Sequence, residues 1–357
     1  KIHMGFLFSN DRTLKTGTKM MHDALHFSYC MEYLLDEEID WANLKSEKFI
    51  YLVPHDSLLT HNHIETYFNK LQHIYSDLLI TYPHLSYLGE RPDKIFNPAS
   101  VPSDIDQTLF KHCFQTEEVA ISQDGLKNNI KAGLIRKGVE TILNEHIYRV
   151  SRITNSRFSV ETNRNTYQSD LVINCLWENQ TIIDQQLGIL SRKENNLRLK
   201  FGIISKYIDA LRFMPSVSMV SGPYGDFVNF PLPKDRKMYF SWYPVSRHGM
   251  VVNQQVPEDW ISICNGNIDK SLSAYQFEHH EQVFRQLFSR SFHFNSPVLI
   301  AGMIVANGKD DINYINSTLH QRNEEPIFSK AGYYTISTGK YTSAPHNAFL
   351  LKNMLPA

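Results

Sequence analysis

Apolar residues recur at helical spacing over residues 18–35 ("TKMMHDALHFSYCMEYLL"), where Met21, Ala24, Leu25, Phe27, Met31 and Leu34 predict a helix. The pattern is clearest over residues 61–79, where Ile64, Tyr67, Phe68, Leu71, Tyr75 and Leu78 share one continuous apolar face. Residues 48–53 predict a short strand, and the stretch 83–106, with its prolines and aspartates, reads as loop. From residue 116 the chain predicts a strand, a helix opening near Asp124 and a second strand after Gly138. Phe158, Val160 and Thr162 then alternate, and the turn at 163–166 returns the chain into an apolar strand over residues 171–177. Strand and turn signals dominate residues 200–260; a helix with Phe284, Leu287 and Phe288 on one face follows. "PVLIAGMIVANG" predicts another strand. The chain closes on "YYTISTGKYTSAPHNAFLLKNML": an alternating strand, a turn through Thr338, Gly339 and Lys340, and an apolar helix after Pro345.

Strand–helix alternation at the two ends against a strand-rich middle predicts an α/β fold with an α+β insert. The sequence has 357 residues, enough for two domains, or for one large domain carrying an inserted second one. A formal net charge of -1, with no basic clusters interleaved with aromatics, argues against nucleic acid as a partner. No apolar run approaches the ~18 residues of a membrane span. Cys30, Cys113, Cys175 and Cys264 lie far apart with no CxxC pair, which suits reduced thiols and a cytoplasmic protein; the same cysteines also read simply as small buried apolar residues.

Most familiar chemistry is missing. Adjacent or i+2 histidines, as in "HNH" at 61–63 and "HH" at 279–280, point in different directions on a helix and predict no metal site. No GxSxG, HExxH or Walker motif occurs. The strand-to-helix turn at Gly339 and Lys340 is the exception, because unpaired N–H groups at a helix start favour an anion. An ordinary turn with a solvated lysine gives the same local pattern.

Several segments, in order, resemble a known family. "KIHMGF", "EEVAISQDGLKNNIKAGLIRKGVETILNEHIYRV", "SDLVINCLW", "VANGKDDINYINSTLHQR" and "GYYTISTGKYTSAP" are similar to parts of FAD-dependent oxidoreductases of the D-amino-acid-oxidase-like superfamily. The resemblance covers both ends and thins out between about residues 45 and 100. It implies a split, Rossmann-like FAD-binding domain assembled from residues 1–40, 115–190 and 295–357. Residues 41–114 and 191–294 would form an inserted antiparallel-sheet substrate domain. It implies FAD as cofactor and oxidation of a C–N or C–O bond of a small substrate by hydride transfer to flavin.

Residue by residue, the resemblance puts His3, Met4 and Gly5 near the flavin ring and Ile147 at the adenine end. Cys175, Leu176 and Trp177 fall in the turn after a strand that ends at the cofactor. Gly339, Lys340, Tyr341 and Thr342 fall at the N1–C2=O edge, where a helix start and a cation stabilise the anionic reduced ring. Tyr224, Trp242 and Arg247 are candidate substrate contacts, although aromatics in "MYFSWYP" equally suit a sheet core; no residue is assigned a catalytic role. The sequence departs from the family in one respect: nowhere are two glycines separated by one residue, so the GxGxxG turn that holds the pyrophosphate is absent. With Lys1 entering in mid-strand, the expectation is the downstream part of a longer protein, lacking the first βαβ unit. A non-catalytic remnant serving as a binding or scaffolding module is the alternative.

Overall fold

A computed structural model describes residues 1–155, 157–189, 195–231, 236–252, 255–322, 325–337 and 339–356. The helix expected over 18–35 runs over Lys15–Leu35, one turn earlier, because the Asp11 carboxylate accepts from Thr16 N at 2.9 Å and ties down a free helical N–H. It ends at Asp36, whose φ of 54° is left-handed and whose N–H closes on Glu32 O. The second helix, His61–Thr81, starts at a Thr60 side-chain cap and buries Ile64, Tyr67, Phe68, Leu71 and Tyr75 as its spacing demands. Where the first helix begins, Gly5 and Gly17 meet: a Cβ built on Gly5 (φ +104°) would lie 2.9 Å from Gly17 O.

Both helices cover one face of a large sheet. Its strand order is Arg247–Val252, Asn195–Lys206, Lys237–Trp242, Gly225–Phe230, Ser216–Met219, Phe49–Pro54, Phe110–Thr116, Phe96–Ala99. The short strand Phe96–Ala99 interrupts the loop expected at 83–106. Neighbouring strands are antiparallel save one pair: Phe49–Pro54 runs parallel to Ser216–Met219, with Phe49 opposite Ser216. The strand expected at "PVLIAGMIVANG" forms as Asn295–Asn307 and pairs along its length with Asn195–Lys206 of this sheet. Phe6, Phe27, Tyr51, Phe68 and Phe114 fill the core on the first face, and Phe227, Phe240, Phe284 and Phe288 the core under helix Lys270–Leu287 on the other.

Two smaller sheets complete the chain. Val172–Asn174 runs parallel to Tyr333–Ile336, which pairs antiparallel with Ile327–Lys330. The expected hairpin becomes a meander of Ile147–Thr154, Arg157–Thr162 and Thr166–Ser169. Phe158 of the meander packs on Tyr333, and Asp184 accepts from Tyr333 Oη (2.7 Å), Asn174 Nδ2 (3.0 Å) and Thr335 Oγ1 (3.2 Å). Two expected strands do not form. Ile121 makes a single bridge to Lys45, and residues 139–146 are irregular, with Val139 and Leu143 exposed and no strand alongside them among the described residues. No helix is long and apolar enough to cross a membrane among the described residues.

Candidate active site

The strands Val172–Asn174 and Tyr333–Ile336 run parallel, so the chain leaves both at the same end of the sheet. Ligands of open α/β sheets bind in the crevice at the carboxyl ends of the strands. After the first strand come Cys175 and Leu176, both exposed, and Trp177, held at a φ of 51° that is unusual for so large a residue. Trp177 Nε1 donates to Met303 O at 3.0 Å, which ties this turn to the large sheet, where Met303 stands opposite Leu199.

After the second strand the chain turns through Gly339, whose φ of +67° calls for glycine although a Cβ there would touch nothing within 4 Å. Thr338 lies outside the described residues. Lys340 precedes a short turn, Tyr341–Ser343, and the helix Ala344–Met354 with proline in its first turn. Thr342 is fully buried, and its Oγ1 accepts from His3 N at 2.9 Å. That bond brings the N-terminal segment to the C-terminal turn, so His3, Met4, Lys340 and Thr342 share one neighbourhood. Gly5 sits one residue further on, packed on Gly17 and accepting from Tyr67 Oη at 3.1 Å. Ile147 lies apart, at the start of the meander.

The electrostatics of this neighbourhood are lopsided. Burial pushes the Lys340 ammonium down to about 7, and the charges of Arg322, Lys1, Arg198 and Lys200 add to the effect. Its Nζ stands 5.6 Å from the Phe8 ring, and among the described residues no carboxylate pairs with it. Burial also lowers His3 to about 4, so its imidazole is neutral at pH 7 despite Glu118 beside it. Glu118 is itself fully buried; burial favours its protonated form, but His3, the Lys1 charge and the Tyr51 hydroxyl hold it below its ordinary range. It accepts from Met4 N at 2.7 Å and from Tyr51 Oη.

Arg198 and Lys200 belong to the same field. They lie two apart on a strand whose Leu197, Leu199 and Phe201 are buried. Arg198 is 3% exposed; it donates to Tyr243 Oη at 2.9 Å, and Tyr243 donates to Asp311 at 2.6 Å. Its Nε is buried with no hydrogen-bond partner among the described residues. Lys200 Nζ lies 5.7 Å from the Tyr243 ring; burial lowers it, against the pull of Asp226. A buried guanidinium that keeps a spare donor although Asp311 lies 3.7 Å from its Nη1, in the field of an ammonium with no carboxylate partner among the described residues, is an arrangement suited to an anion.

Of the candidate substrate contacts, Arg247 joins this network through Asp311, the carboxylate that also takes Tyr243 and pairs with Arg198. Tyr224 and Trp242 pack against the core under helix Lys270–Leu287, with Tyr224 Oη donating to Asp56 at 2.8 Å. Arg247 gives its Nη1 to Asp311 at 2.5 Å. Two charged residues alternating with leucines on a buried strand, "LRLK", are the signal that would have singled out Arg198 and Lys200. Of the histidine motifs, His61 stacks on His112, and His279 and His280 each bond the carbonyl four residues earlier.

No protein-family model and no curated protein matches the sequence. Solved structures do. The fold is similar to that of glycine oxidase from Geobacillus kaustophilus, at a TM-score of 0.58 and 8% identity, over 97% of this chain and 81% of that one. It is similar to L-proline dehydrogenase from P. horikoshii, at a TM-score of 0.57 and 9% identity, over 100% and 83% of the two chains. FAD-bound L-alpha-glycerophosphate oxidase from Mycoplasma pneumoniae gives a TM-score of 0.51 at 13% identity, over 99% and 84%. The chain therefore has the fold of these oxidases and dehydrogenases, the D-amino-acid-oxidase-like fold that its ordered segments resemble.

Proposed function

We propose that this protein is an FAD-dependent oxidoreductase that oxidises the C–N bond of a small amine bearing a carboxylate. The observation that carries the reading is the gathering of positive charge on Lys340, which no carboxylate pairs with among the described residues, with Arg198 and Lys200 in its field and the Arg198 Nε without a partner. The oxidases and dehydrogenases of the same fold support the cofactor and the reaction class. Bound there, FAD would accept two electrons from the substrate and take up negative charge on its N1–C2=O edge.

The chain's own residues then divide the work. Lys340 and the N–H groups of Tyr341 and Thr342 would lie toward that edge and would favour its charged form. Arg198, positioned by Tyr243 and Asp311, would offer its free Nε–H to the substrate carboxylate and so orient the carbon to be oxidised. Neutral His3 and the buried wall of Met4 and Phe8 keep water from that side. The Lys340 ammonium and the N–H groups beside it suit the pyrimidine edge of FAD chemically; the sequence holds no GxGxxG turn for the pyrophosphate.

Purifying the product of the full gene tests the reading. A flavin absorption spectrum, and its bleaching by one of a panel of small amino acids under anaerobic conditions, is the expected result. A colourless protein that FAD does not reconstitute would overturn it.

A further inference from the structure

Three histidines come together far from the motifs that the sequence singles out. His22 and His26 stand four residues apart on one face of helix Lys15–Leu35, and His346 comes from the first turn of helix Ala344–Met354 packed against it. One ring nitrogen from each lies within 4.8 Å of the others. The rings of His26 and His346 are 4.6 Å apart, those of His22 and His26 4.1 Å. His26 and His346 are buried, and His22 is half-exposed, which leaves the cluster open on one side.

The hydrogen bonds fix how two of these rings present themselves. His26 Nδ1 lies 2.8 Å from His22 O, and a carbonyl only accepts, so the proton is on Nδ1 and the Nε2 lone pair is free. His346 Nδ1 lies 2.9 Å from the Asp23 carboxylate, with the same consequence. Asp23 is 1% exposed and is held in turn by Ser343 Oγ at 2.5 Å and Lys19 Nζ at 2.8 Å. A carbonyl or carboxylate behind each imidazole is how protein metal sites orient their histidine ligands.

We infer that His22, His26 and His346 form a binding site for a divalent transition-metal ion of the zinc class, with Asp23 orienting His346 and a water completing the shell on the exposed side. Three neutral imidazoles suit zinc, nickel, cobalt and copper, and exclude calcium and magnesium, which take oxygen ligands. Nitrogens around a tetrahedral zinc lie about 3.4 Å apart, so the cluster has to close by an ångström or so, and half-exposed His22 has room to turn. The ion would pin the C-terminal helix to the first helix at His346, three residues after Ser343 and close in sequence to the turn that carries Lys340 and Thr342.

The experiment is titration of the untagged, metal-stripped protein with Zn²⁺ in a calorimeter and with Co²⁺ in a spectrophotometer. One equivalent should bind, Co²⁺ should develop the visible absorption of a four- or five-coordinate ion, and Zn²⁺ should raise the unfolding temperature. His22→Ala, a change on the half-exposed side, and His346→Ala should each weaken binding about 100-fold or more, and Asp23→Asn about 10–100-fold. His61→Ala, at the other stacked pair, should leave it unchanged. Absence of saturable binding to the unmodified protein, or binding that survives His22→Ala, would overturn the site. Neither outcome depends on flavin binding or on oxidase activity.

Discussion

His3 and Thr342, 339 positions apart, are joined by a hydrogen bond of 2.9 Å from the backbone N–H of the first to the side-chain oxygen of the second, with both residues buried. This contact holds the two ends of the chain together at the candidate site. Thr342→Val keeps the shape but leaves a buried N–H without its acceptor, which costs about 1–3 kcal/mol. Thr342→Ser keeps the oxygen. Denaturant unfolding should therefore show a clear loss for valine and a much smaller one for serine; equal losses would mean that the missing methyl, not the hydrogen bond, decides.

Lys340 predicts a pH dependence with a definite sign. Its ammonium titrates near 7 in the folded protein, against about 10.4 when unfolded. Between those values the unfolded chain holds more protons, so in flavin-free protein this group makes stability rise as pH increases from about 7 toward 10. Below about 7 both states are charged, the full penalty is present and the slope vanishes. Lys340→Met should flatten the rise relative to the parent in paired unfolding curves at pH 6.5 and 9.5. An unaltered slope would place the lysine in solvent.

What could be read from the sequence, and what could not, follows from the range of the interactions involved. The helix His61–Thr81 and the strand Tyr333–Ile336 were legible because periodicity is local. The strand expected after Gly138 failed because pairing is not: Val139 and Leu143 have the composition of a strand but are exposed, with no strand alongside them among the described residues. The boundary of the first helix moved because the Asp11 side chain, four positions upstream of Lys15, accepts from the Thr16 N–H in its first turn. At the site, the turn at Gly339 and Lys340 was visible as a strand–glycine–helix pattern, whereas its meeting with His3 depends on a bond between the chain's two ends. Arg198 could have been noticed as a charge inside a buried strand, but its partner Asp311 is 113 residues away. His22 and His26 form a readable i, i+4 pair; His346 completes it only in three dimensions.

Arg198 should matter for substrate more than for folding chemistry on the flavin. If its free Nε–H takes the substrate carboxylate, Arg198→Lys loses the planar fork and about 1.5–3 kcal/mol of charge-assisted hydrogen bonding. KM for the amino-acid substrate should rise about 10–150-fold, and a substrate amine without a carboxylate should be affected far less. Tyr243→Phe removes the hydroxyl that bridges Arg198 to Asp311 and should give a milder change in the same direction. Equal loss for both kinds of substrate would remove Arg198 from the carboxylate's anchor and leave it a structural role.

Lys340→Met carries the sharpest test of the flavin-facing turn. A cation beside N1–C2=O interacts more strongly with the anionic reduced ring than with the neutral oxidised one, so it acts on the difference between the two states. The N–H groups of Tyr341 and Thr342 survive the substitution, and the loss should be partial, about 1–3 kcal/mol. For a two-electron couple that is about 20–65 mV. The variant purified with its flavin should show a potential lower by that amount, and slower reduction by substrate. Because Lys340 is also crowded by Arg198, Lys200 and Arg322, bound flavin should relieve the repulsion and raise the lysine's own titration above 7. Carbon-13 labelling of the dimethylated ε-amine reads that shift directly in flavin-free and flavin-bound protein. An unchanged potential together with an unchanged lysine titration would move the cofactor's charged edge away from this turn.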